Sequence, residues 1–410
     1  MGASSRAGAP EDAVLGMVPR RVYAPASVAE AAEVLREAAR EQLALAPVGG
    51  GTALGLGAPP RALDAVVRTS ALGRILEYAP ADMVMVCEAG VTLAAVQAAA
   101  GAHRQRLALD APHPARATVG GLVATGACGP LRARAGGVRD LIIGVTLVRA
   151  DGTLARSGGK VVKNVAGFDL PKLACGSLGT LGLVATANFR LHPLPEASAT
   201  LCLPGLSGAQ VVALLSLVRE AQLEPAAAFT LHAGQGKSEL ALVFEGFATG
   251  VRQQQERLEG LARKLRLECQ RLSAEQAATQ RARHDALREA DDLRVRVSSL
   301  PSRLEAVESL LAPVLRALPG GGFTWYPTLG LGWLAGRPAD VAALATALAP
   351  ARAALVAAGG ALVLEAAPAA LRATVDAWGP PPASFHLMQR LKHNFDPQGR
   401  LNPGRFVGGL

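Results

Sequence analysis

Three glycine-rich segments among the first 195 residues limit what this chain can fold into. The sequence reads PVGGGTALG at 47–55, ATVGGLVATGACG at 117–129 and GSLGTLGLV at 176–184, each beside an apolar run typical of a strand. Glycine loses more backbone entropy on folding than any other residue, so these segments are costly unless the backbone must approach another group closely. Consecutive amides without side-chain crowding can curl around an anion. The three segments together predict a cofactor that carries phosphate.

None of the three segments is a standard nucleotide-binding motif. The first lacks the Gly-Lys-Ser/Thr that ends a P-loop, and it lacks the GxGxxG spacing into a long helix. No acidic residue follows at the distance at which a Rossmann fold would bind a ribose. Each segment alone could be an ordinary turn, so the cofactor prediction depends on all three.

Length and composition predict two domains and argue against nucleic acid as a partner. The 410 residues exceed one usual domain, and 50% of them are hydrophobic, which is enough for sizeable cores. Aromatic residues make up only 4%, too few for a surface that stacks on single-stranded nucleic acid. The formal net charge of +9 comes mostly from scattered arginines rather than from a basic arm.

The cysteines and the N-terminus predict a cytoplasmic protein that binds no metal. The cysteines are dispersed without a CxxC pair, which fits free thiols in a reducing compartment and argues against an iron–sulfur cluster or structural zinc. No signal-peptide pattern and no uninterrupted apolar run of about 18 residues is evident. We expect membrane association to be peripheral, at the inner face of the cell membrane and through partners. The five cysteines are Cys87, Cys128, Cys175, Cys202 and Cys269.

Capping signals place the helices of the first half. Ser27 and Glu30 form a capping-box pattern ahead of a helix with apolar residues at helical spacing. A strand is predicted over 43–48, directly before the first glycine-rich segment. A second helix is predicted to begin near Thr92 and to end before Gly101.

A hairpin and a proline pair close the first half. Asp151 and Gly152 are the predicted hairpin turn, and Pro193 and Pro195 end the strand that follows. The glycine-rich segments stop at this point, which predicts a domain boundary. The predicted organisation is a flexible N-terminus at 1–19, a first domain at 20–195, a second at 196–380 and a C-terminal segment at 381–410 that packs on the first domain.

The second half repeats one order of elements. Two consecutive βαββαβ patterns, joined by a polar connector rich in Gln, Ala and Arg, predict a duplicated ferredoxin-like domain and an α+β protein. The predicted strands are 199–203, 226–232, 239–245, 266–270, 293–298, 322–327, 330–335 and 361–365, and the predicted helices are 208–221, 249–265, 301–318 and 338–358.

The order of the glycine-rich motifs resembles one known family. PVGGGTAL, TVGGLVATG, GGVRDLIIGV, GGKVVKNVAGFDL and GSLGTLGLV follow one another as in the FAD-binding domain of the vanillyl-alcohol oxidase/PCMH superfamily. Within it, the chain is most similar to the FAD-binding E subunits of bacterial glycolate oxidases. The likeness covers about residues 20–195 and the ending LKHNFDPQGRLNPGRF. It implies a PCMH-type FAD-binding domain, followed by a cap domain and a returning C-terminal segment.

The resemblance implies which residues bind FAD. The first segment would bind the pyrophosphate, the second would line the other side of the diphosphate, and the third would pass near the flavin. Asp169 would cap a short helix, and Lys163 and Asn164 would tie that helix to the glycine loop. The implied cofactor-binding residues are Val48, Gly49, Gly50, Gly51, Thr52, Ala53, Leu54, Thr118, Gly120, Gly121, Gly176, Ser177, Gly179, Thr180, Leu181 and Val184.

Departures from the catalytic relatives indicate a companion subunit. GGGTALG has no histidine, so FAD should be bound noncovalently. The seven histidines lack metal-ligand spacing, and Leu178 stands where catalytic relatives have an acidic residue. The resemblance therefore implies a heteromeric glycolate oxidase. In it, a second FAD-binding subunit would oxidise a 2-hydroxy acid such as glycolate, and an iron–sulfur subunit would take the electrons. No catalytic residue is assigned to this chain.

Two other functions remain open from the sequence. The chain could be a stand-alone FAD-dependent dehydrogenase of a D-2-hydroxy acid, of the D-lactate type, with Arg132, Arg134 or Arg139 binding the substrate carboxylate. It could also be a non-redox structural subunit with an empty flavin pocket, although the costly glycine-rich segments argue against this. Flavin bleaching by a 2-hydroxy acid would distinguish the first from the others.

Overall fold

The computed structural model describes residues 4–160, 167–234 and 237–410. Within that part the chain forms two compact units with separate hydrophobic cores. The first unit comprises the described residues of Met1–Gly129, Gly136–Leu194 and Pro380–Leu410. The second comprises those of Pro130–Ala135 and Pro195–Gly379.

The first unit contains short strands, short helices and the C-terminal helix. Its strands are β1 (Ser5–Ala7), β2 (Arg21–Tyr23), β3 (Leu45–Val48), β4 (Ala65–Arg68), β5 (Ile75–Ala79), β6 (Val84–Glu88), β7 (Gln105–Arg106), β8 (Ile142–Val148), β9 (Leu154–Gly158), β10 (Leu183–Arg190) and β11 (His192–Pro193). Its helices are α1 (Val28–Arg40), α2 (Leu93–Gly101), α3 (Val119–Thr125), α5 (Val138–Leu141), α6 (Leu170–Ala174) and α13 (Phe385–Phe395), and α4 (Arg132–Ala135) lies in the second unit.

These strands form two main sheets. The first has the order β1-β2-β4-β3, with β2, β4 and β3 parallel. The second has the order β5-β6-β10-β8-β9 and is antiparallel. A two-stranded ladder joins β11 and β7. The glycines of the first segment follow β3 directly, so the parallel sheet fixes where this loop begins.

Side-chain caps start the helices where the sequence predicts. Ser27 accepts a hydrogen bond from the Glu30 amide, and Thr92 accepts one from the Ala95 amide, which satisfies amides left free at a helix N-terminus. Glu30 reaches back to the amide of Ala26 rather than to that of Ser27, so the capping box is displaced by one residue. Gly101 is the last residue of α2 rather than the residue after it.

The predicted hairpin is present. β8 and β9 pair antiparallel, and the Thr153 amide donates to the Asp151 carboxylate across the turn at 2.9 Å. Gly152 has φ +77°, the left-handed region that glycine adopts without a Cβ penalty.

The second unit consists of two copies of one βαββαβ order. The first copy comprises β12 (Ala197–Leu206), α7 (Gly208–Glu220), β13 (Ala227–Gly234), β14 (Lys237–Gly246), α8 (Ala248–Lys264) and β15 (Gln270–Arg271). Then come α9 (Ala274–Glu289) and the second copy: β16 (Arg294–Ser298), α10 (Leu304–Arg316), β17 (Gly322–Tyr326), β18 (Leu331–Ala335), α11 (Val341–Ala357) and β19 (Ala361–Ala366), followed by α12 (Ala369–Arg372).

Sheet order confirms the duplication. The eight strands run β15-β12-β14-β13-β17-β18-β16-β19, so each copy has the ferredoxin-like order and the two copies meet at their second strands. All the pairings in this sheet are antiparallel. Leucines and valines from α7, α8, α10 and α11 pack with the sheet as one core. The predicted α+β fold class is confirmed.

The polar connector is a helix, which the sequence interpretation missed. α9 begins at Ser273, whose hydroxyl accepts from the Gln276 amide, and it packs against β16, β17 and β18. Its buried residues include Gln280, His284 and Arg288, spaced by four. Because the buried face of α9 is polar, its sequence shows no apolar periodicity, and the helix was therefore not predicted. The strand predicted at 266–270 was wrong in its bounds, because β15 comprises only Gln270 and Arg271.

Candidate cofactor site

The first glycine-rich segment lies directly against the start of the second, at Arg116 and Thr118. A Cβ on Gly50 would lie 1.7 Å from the carbonyl oxygen of Arg116, and one on Gly49 would lie 2.1 Å from the Thr118 hydroxyl. Neither distance leaves room for any side chain. Glycine at both positions is therefore required by close approach, as the sequence predicted for the segment as a whole.

Free amides follow β3. In the part of the chain that the structure describes, the amides of Gly49, Gly50 and Gly51 donate no hydrogen bond, although all three residues are half-buried. Half-buried amides without a partner are costly unless an anion or water satisfies them. These three consecutive donors therefore fit the diphosphate of a dinucleotide cofactor.

The second segment offers its hydroxyl rather than its glycine amides. The Gly120 amide donates to the Ala89 carbonyl at 2.8 Å, and the Gly121 amide donates to the Thr118 hydroxyl at 3.4 Å. Gly120 is needed for packing, since a Cβ there would lie 2.8 Å from the Ala89 Cβ. The predicted amide donors of this segment are thus committed within the protein.

The third segment lies against the other two. The Gly176 amide donates to the Val123 carbonyl and the Leu178 amide donates to the Ala124 carbonyl, which joins it to α3. Gly179 has φ +70°, and a Cβ on it would contact Pro47 at 3.5 Å. The structure therefore brings together the three segments that the sequence separates by more than forty residues each.

The remaining predicted residues fall in three places: the third segment, strand β10, and the end of β3 with the loop that follows it. Ser177 and Thr180 are buried within the third segment, where the Thr180 hydroxyl donates to the Ser177 carbonyl at 2.7 Å and the adjacent Leu181 is also buried. Val184 is buried in β10, paired with Leu147, and so belongs to the sheet. Val48 ends β3, and Thr52, Ala53 and Leu54 continue the first loop.

The short helix α6 is capped as predicted. The Lys172 amide donates to Asp169 at 3.2 Å and its ammonium donates to the same carboxylate at 2.6 Å. The side-chain hydrogen bond from Lys172 lowers the pKa of Asp169. Lys163 and Asn164, predicted to tie this helix to the glycine loop, lie outside the described residues.

The C-terminal segment contributes contacts that sequence reasoning did not assign. Asn402 Nδ2 donates to the Leu178 carbonyl at 2.6 Å, and Lys392 Nζ donates to the Thr180 carbonyl at 2.9 Å. Arg405 Nη2 donates to the Leu54 carbonyl at 2.6 Å. The unusual ending LKHNFDPQGRLNPGRF was the available signal, but nothing local in it says which residues it would contact.

The second unit holds a buried polar cluster around one histidine. His284 Nε2 lies 2.8 Å from the Tyr326 hydroxyl and its Nδ1 lies 2.8 Å from the Asp285 carboxylate. Burial lowers the pKa of His284 to about 4. Arg288 also donates to Tyr326 and stacks over Trp333 at 3.7 Å. Across the described residues, no group of three or more His, Cys, Asp and Glu side chains could hold a metal ion.

The arginines considered for a substrate carboxylate lie in two short helices. Arg134, in the second unit, donates to the carbonyls of Glu224 and Glu245. Arg132 lies in the same short helix, α4, whereas Arg139 lies in α5 of the first unit.

Comparison with known proteins identifies the first unit. A family described as FAD binding domain matches residues 19–158. Residues 19–158 are thus similar to an FAD-binding domain. The predicted cofactor, FAD, is thereby confirmed.

Relatives of this chain include glycolate oxidase subunits. It is 39% identical over 128 residues to glycolate oxidase subunit GlcE of Escherichia coli (strain K12), covering 31% of this chain and 37% of the relative. It is 35% identical over 185 residues to D-lactate dehydrogenase of Archaeoglobus fulgidus, covering 45% of this chain and 41% of the relative. The chain thus spans about two fifths of the length of these curated relatives.

The PCMH-type fold extends over nearly the whole chain. A solved structure of p-cresol methylhydroxylase with substrate bound superposes with a TM-score of 0.73 at 14% identity, covering 95% of this chain and 88% of that one. A structure of alkyldihydroxyacetonephosphate synthase gives a TM-score of 0.70 at 15% identity, covering 94% and 76%. At these identities the likeness concerns the fold.

Among the described residues, none of the helices has the length and apolarity to cross a membrane.

Proposed function

We propose that this chain is the FAD-binding subunit of a heteromeric glycolate oxidase or dehydrogenase that oxidises a 2-hydroxy acid, glycolate to glyoxylate. The observation that carries the proposal is the meeting of three glycine-rich segments beside the unpartnered amides of Gly49 to Gly51. The 39% identity to a glycolate oxidase subunit over 128 residues supports it. When bound, FAD supplies the acceptor for the electrons of the oxidation.

The chain's own residues would hold the cofactor without a covalent bond. The amides of Gly49, Gly50 and Gly51 would donate to the diphosphate, with the Thr118 hydroxyl beside them. The third segment, from Gly176 to Leu181, would lie along the flavin. We place the FAD-binding domain at 20–195 with the returning segment 381–410, and the cap domain at 196–380.

The partners are proposed to be a second FAD-binding catalytic subunit and an iron–sulfur subunit. Similarity to glycolate oxidase subunit GlcE of Escherichia coli (strain K12) and to a second such relative, glycolate oxidase subunit GlcD of Bacillus subtilis (strain 168), supports a multi-subunit enzyme. That relative is 32% identical over 188 residues. The complex would be cytoplasmic, with any membrane attachment through these partners.

An absorption spectrum of the purified chain tests the proposal first. We expect flavin bands, and we expect the flavin to appear in the filtrate after denaturation because no covalent bond holds it. Reconstitution of the complex with and without this chain then tests its place in the enzyme. Normal glycolate turnover without the chain would overturn the proposed role.

A stand-alone dehydrogenase of a D-2-hydroxy acid is the second candidate. The 35% identity to D-lactate dehydrogenase of Archaeoglobus fulgidus favours it. Anaerobic addition of D-lactate or glycolate to the isolated, flavin-loaded chain distinguishes the two functions. Bleaching of the flavin band would establish the second candidate, and an unchanged spectrum with both acids would leave the subunit role.

A further inference from the structure

We propose that Lys392, Asn402 and Arg405 form a C-terminal clamp that positions the backbone of the cofactor-binding segments for FAD. Each is a positioning residue, since each acts through a main-chain carbonyl of a glycine-rich segment or its flank. The inference rests on the proposed placement of FAD at those segments. It adds a determinant of cofactor affinity at the far end of the chain.

Lys392 joins the third segment to the C-terminal turn. Its buried ammonium donates to the Thr180 carbonyl at 2.9 Å, to the Leu401 carbonyl at 2.8 Å and to the Asp396 carboxylate at 2.7 Å. The same carboxylate accepts from the Leu401 amide at 2.7 Å. All three donor positions of the ammonium are therefore used, which fixes the Thr180 carbonyl to a rigid turn.

Asn402 holds the third segment to the first sheet. Its Nδ2 donates to the Leu178 carbonyl at 2.6 Å, and its backbone amide donates to the Leu45 carbonyl in β3 at 2.7 Å. Asn402 has φ +48°, a conformation that asparagine tolerates better than most residues. This one residue therefore sets the distance between the strand that begins the first loop and the third segment.

Arg405 holds the end of the first loop. Its Nη2 donates to the Leu54 carbonyl at 2.6 Å and to the Leu56 carbonyl at 2.7 Å. Its own carbonyl accepts from the Ala58 amide at 3.0 Å. A Cβ on Gly57 would lie 2.4 Å from that carbonyl oxygen, so the tail and the loop are in direct backbone contact.

Peptide geometry explains how a clamp on carbonyls can position donors for a cofactor. In a trans peptide unit the C=O and the N–H of the next residue point in opposite directions. Fixing the carbonyls of Leu178 and Thr180 toward the tail therefore turns the amides of Gly179 and Leu181 away from it. Neither amide donates a hydrogen bond within the described part of the chain, and both residues belong to the predicted FAD site.

Two substitutions and a matched control test the clamp. Asn402→Gly removes the Leu178 contact but keeps the backbone, since glycine adopts the left-handed conformation readily. Lys392→Met removes the ammonium at similar length. The control is Arg400→Met: Arg400 is buried like Lys392, but its Nη2 donates to the carbonyl of Ala150, in the hairpin turn.

The readout is the Kd of FAD for the deflavinated full chain, measured by quenching of flavin fluorescence, with thermal unfolding of each variant alongside. We expect Asn402→Gly and Lys392→Met to raise the Kd at least about tenfold, which equals about 1.4 kcal/mol. Arg400→Met should lower the melting temperature and leave the Kd as in the wild type.

The outcomes distinguish failure of the proposed clamp from failure of the proposed placement of FAD. A wild-type Kd in folded Asn402→Gly protein, or equal changes of Kd in Asn402→Gly and Arg400→Met, would overturn the clamp. If Lys392→Met does not fold, the Kd of Asn402→Gly tests the clamp by itself, because glycine adopts the backbone conformation of Asn402 at little cost. Wild-type affinity in a Gly50→Val variant would instead overturn the proposed placement of FAD.

Discussion

At the scale of single residues, close backbone approach and burial govern this protein. Gly50 is required because the carbonyl of Arg116 occupies the position of its Cβ, whereas Gly101 at the end of α2 has open space around it. Two glycines that look alike in the sequence thus have opposite roles. The difference lies in a neighbour more than sixty residues away.

Substitution of Gly50 by alanine should remove FAD binding. The new methyl group would displace the Arg116 carbonyl and disturb the loop, at a cost of about 3 kcal/mol in the free energy of unfolding. The measurement is flavin retention after gel filtration together with urea unfolding. Gly101→Ala is the control, and it should retain flavin and gain up to about 1 kcal/mol, as alanine does in a helix. Equal flavin retention in both variants would contradict this account.

His284 should make stability depend on pH in a defined window. Burial lowers its pKa from 6.5 to about 4, so the unfolded chain binds the proton more readily than the folded one. The contribution is fully present above pH 6.5 and is lost as the pH falls from there toward about 4, by about 3 kcal/mol in total. Urea unfolding of wild type and His284→Gln across this window checks it. The slope of the free energy of unfolding against pH should differ between the two proteins. Equal slopes would mean that groups other than His284 titrate in this window.

At the scale of elements, the sequence predicted where several helices start, but it did not predict helix α9. Ser27, Thr92 and Ser207 each accept a hydrogen bond from an amide three residues on, so these starts are encoded within one turn. α9 escaped detection because its buried face is Gln280, His284 and Arg288. The partners of these residues include Cys202, Tyr326 and Trp333, on strands distant in the sequence. Apolar periodicity reports a helix only where its buried face is apolar.

The cap of α9 should carry measurable stability. Ser273→Ala removes the acceptor for the Gln276 amide and should lower the free energy of unfolding by about 1 kcal/mol. Urea unfolding followed by circular dichroism measures the loss. Ser309→Ala is the matched control, because the exposed Ser309 hydroxyl only donates back to the Glu305 carbonyl within α10. We expect its midpoint to stay within error of the wild type, and a shift equal to that of Ser273→Ala would refute the assignment of the cap.

At the scale of the whole molecule, the two units differ in architecture and in proposed role. The second unit is a duplicated sheet with one continuous apolar core, and its repeat could be predicted because each element follows a clear periodicity. The first unit has short elements and three loops that meet, and we propose that it holds the cofactor. Its stability should therefore be linked to FAD concentration.

FAD should stabilise the folded chain by mass action. At a concentration about one hundred times its Kd, FAD should raise the free energy of unfolding of the unit that binds it by about 2.7 kcal/mol. Riboflavin lacks the diphosphate that the amides of Gly49 to Gly51 would bind, so it should give a smaller shift. Calorimetry with each ligand at equal concentration measures the difference. Equal shifts would show that the diphosphate contributes nothing and would contradict the proposed amide site.

The sequence by itself determined the glycine-rich segments, the helix caps, the hairpin and the repeated βαββαβ order, because each depends on residues within a few positions of one another. Only the tertiary structure decided that Gly50 meets Arg116, that the Gly120 amide is already bonded to Ala89, and that Lys392 reaches Thr180. Those contacts join residues between about thirty and more than two hundred positions apart. Periodicity and capping depend on neighbours along the chain. Neither pattern therefore predicts which distant carbonyl a buried ammonium will contact.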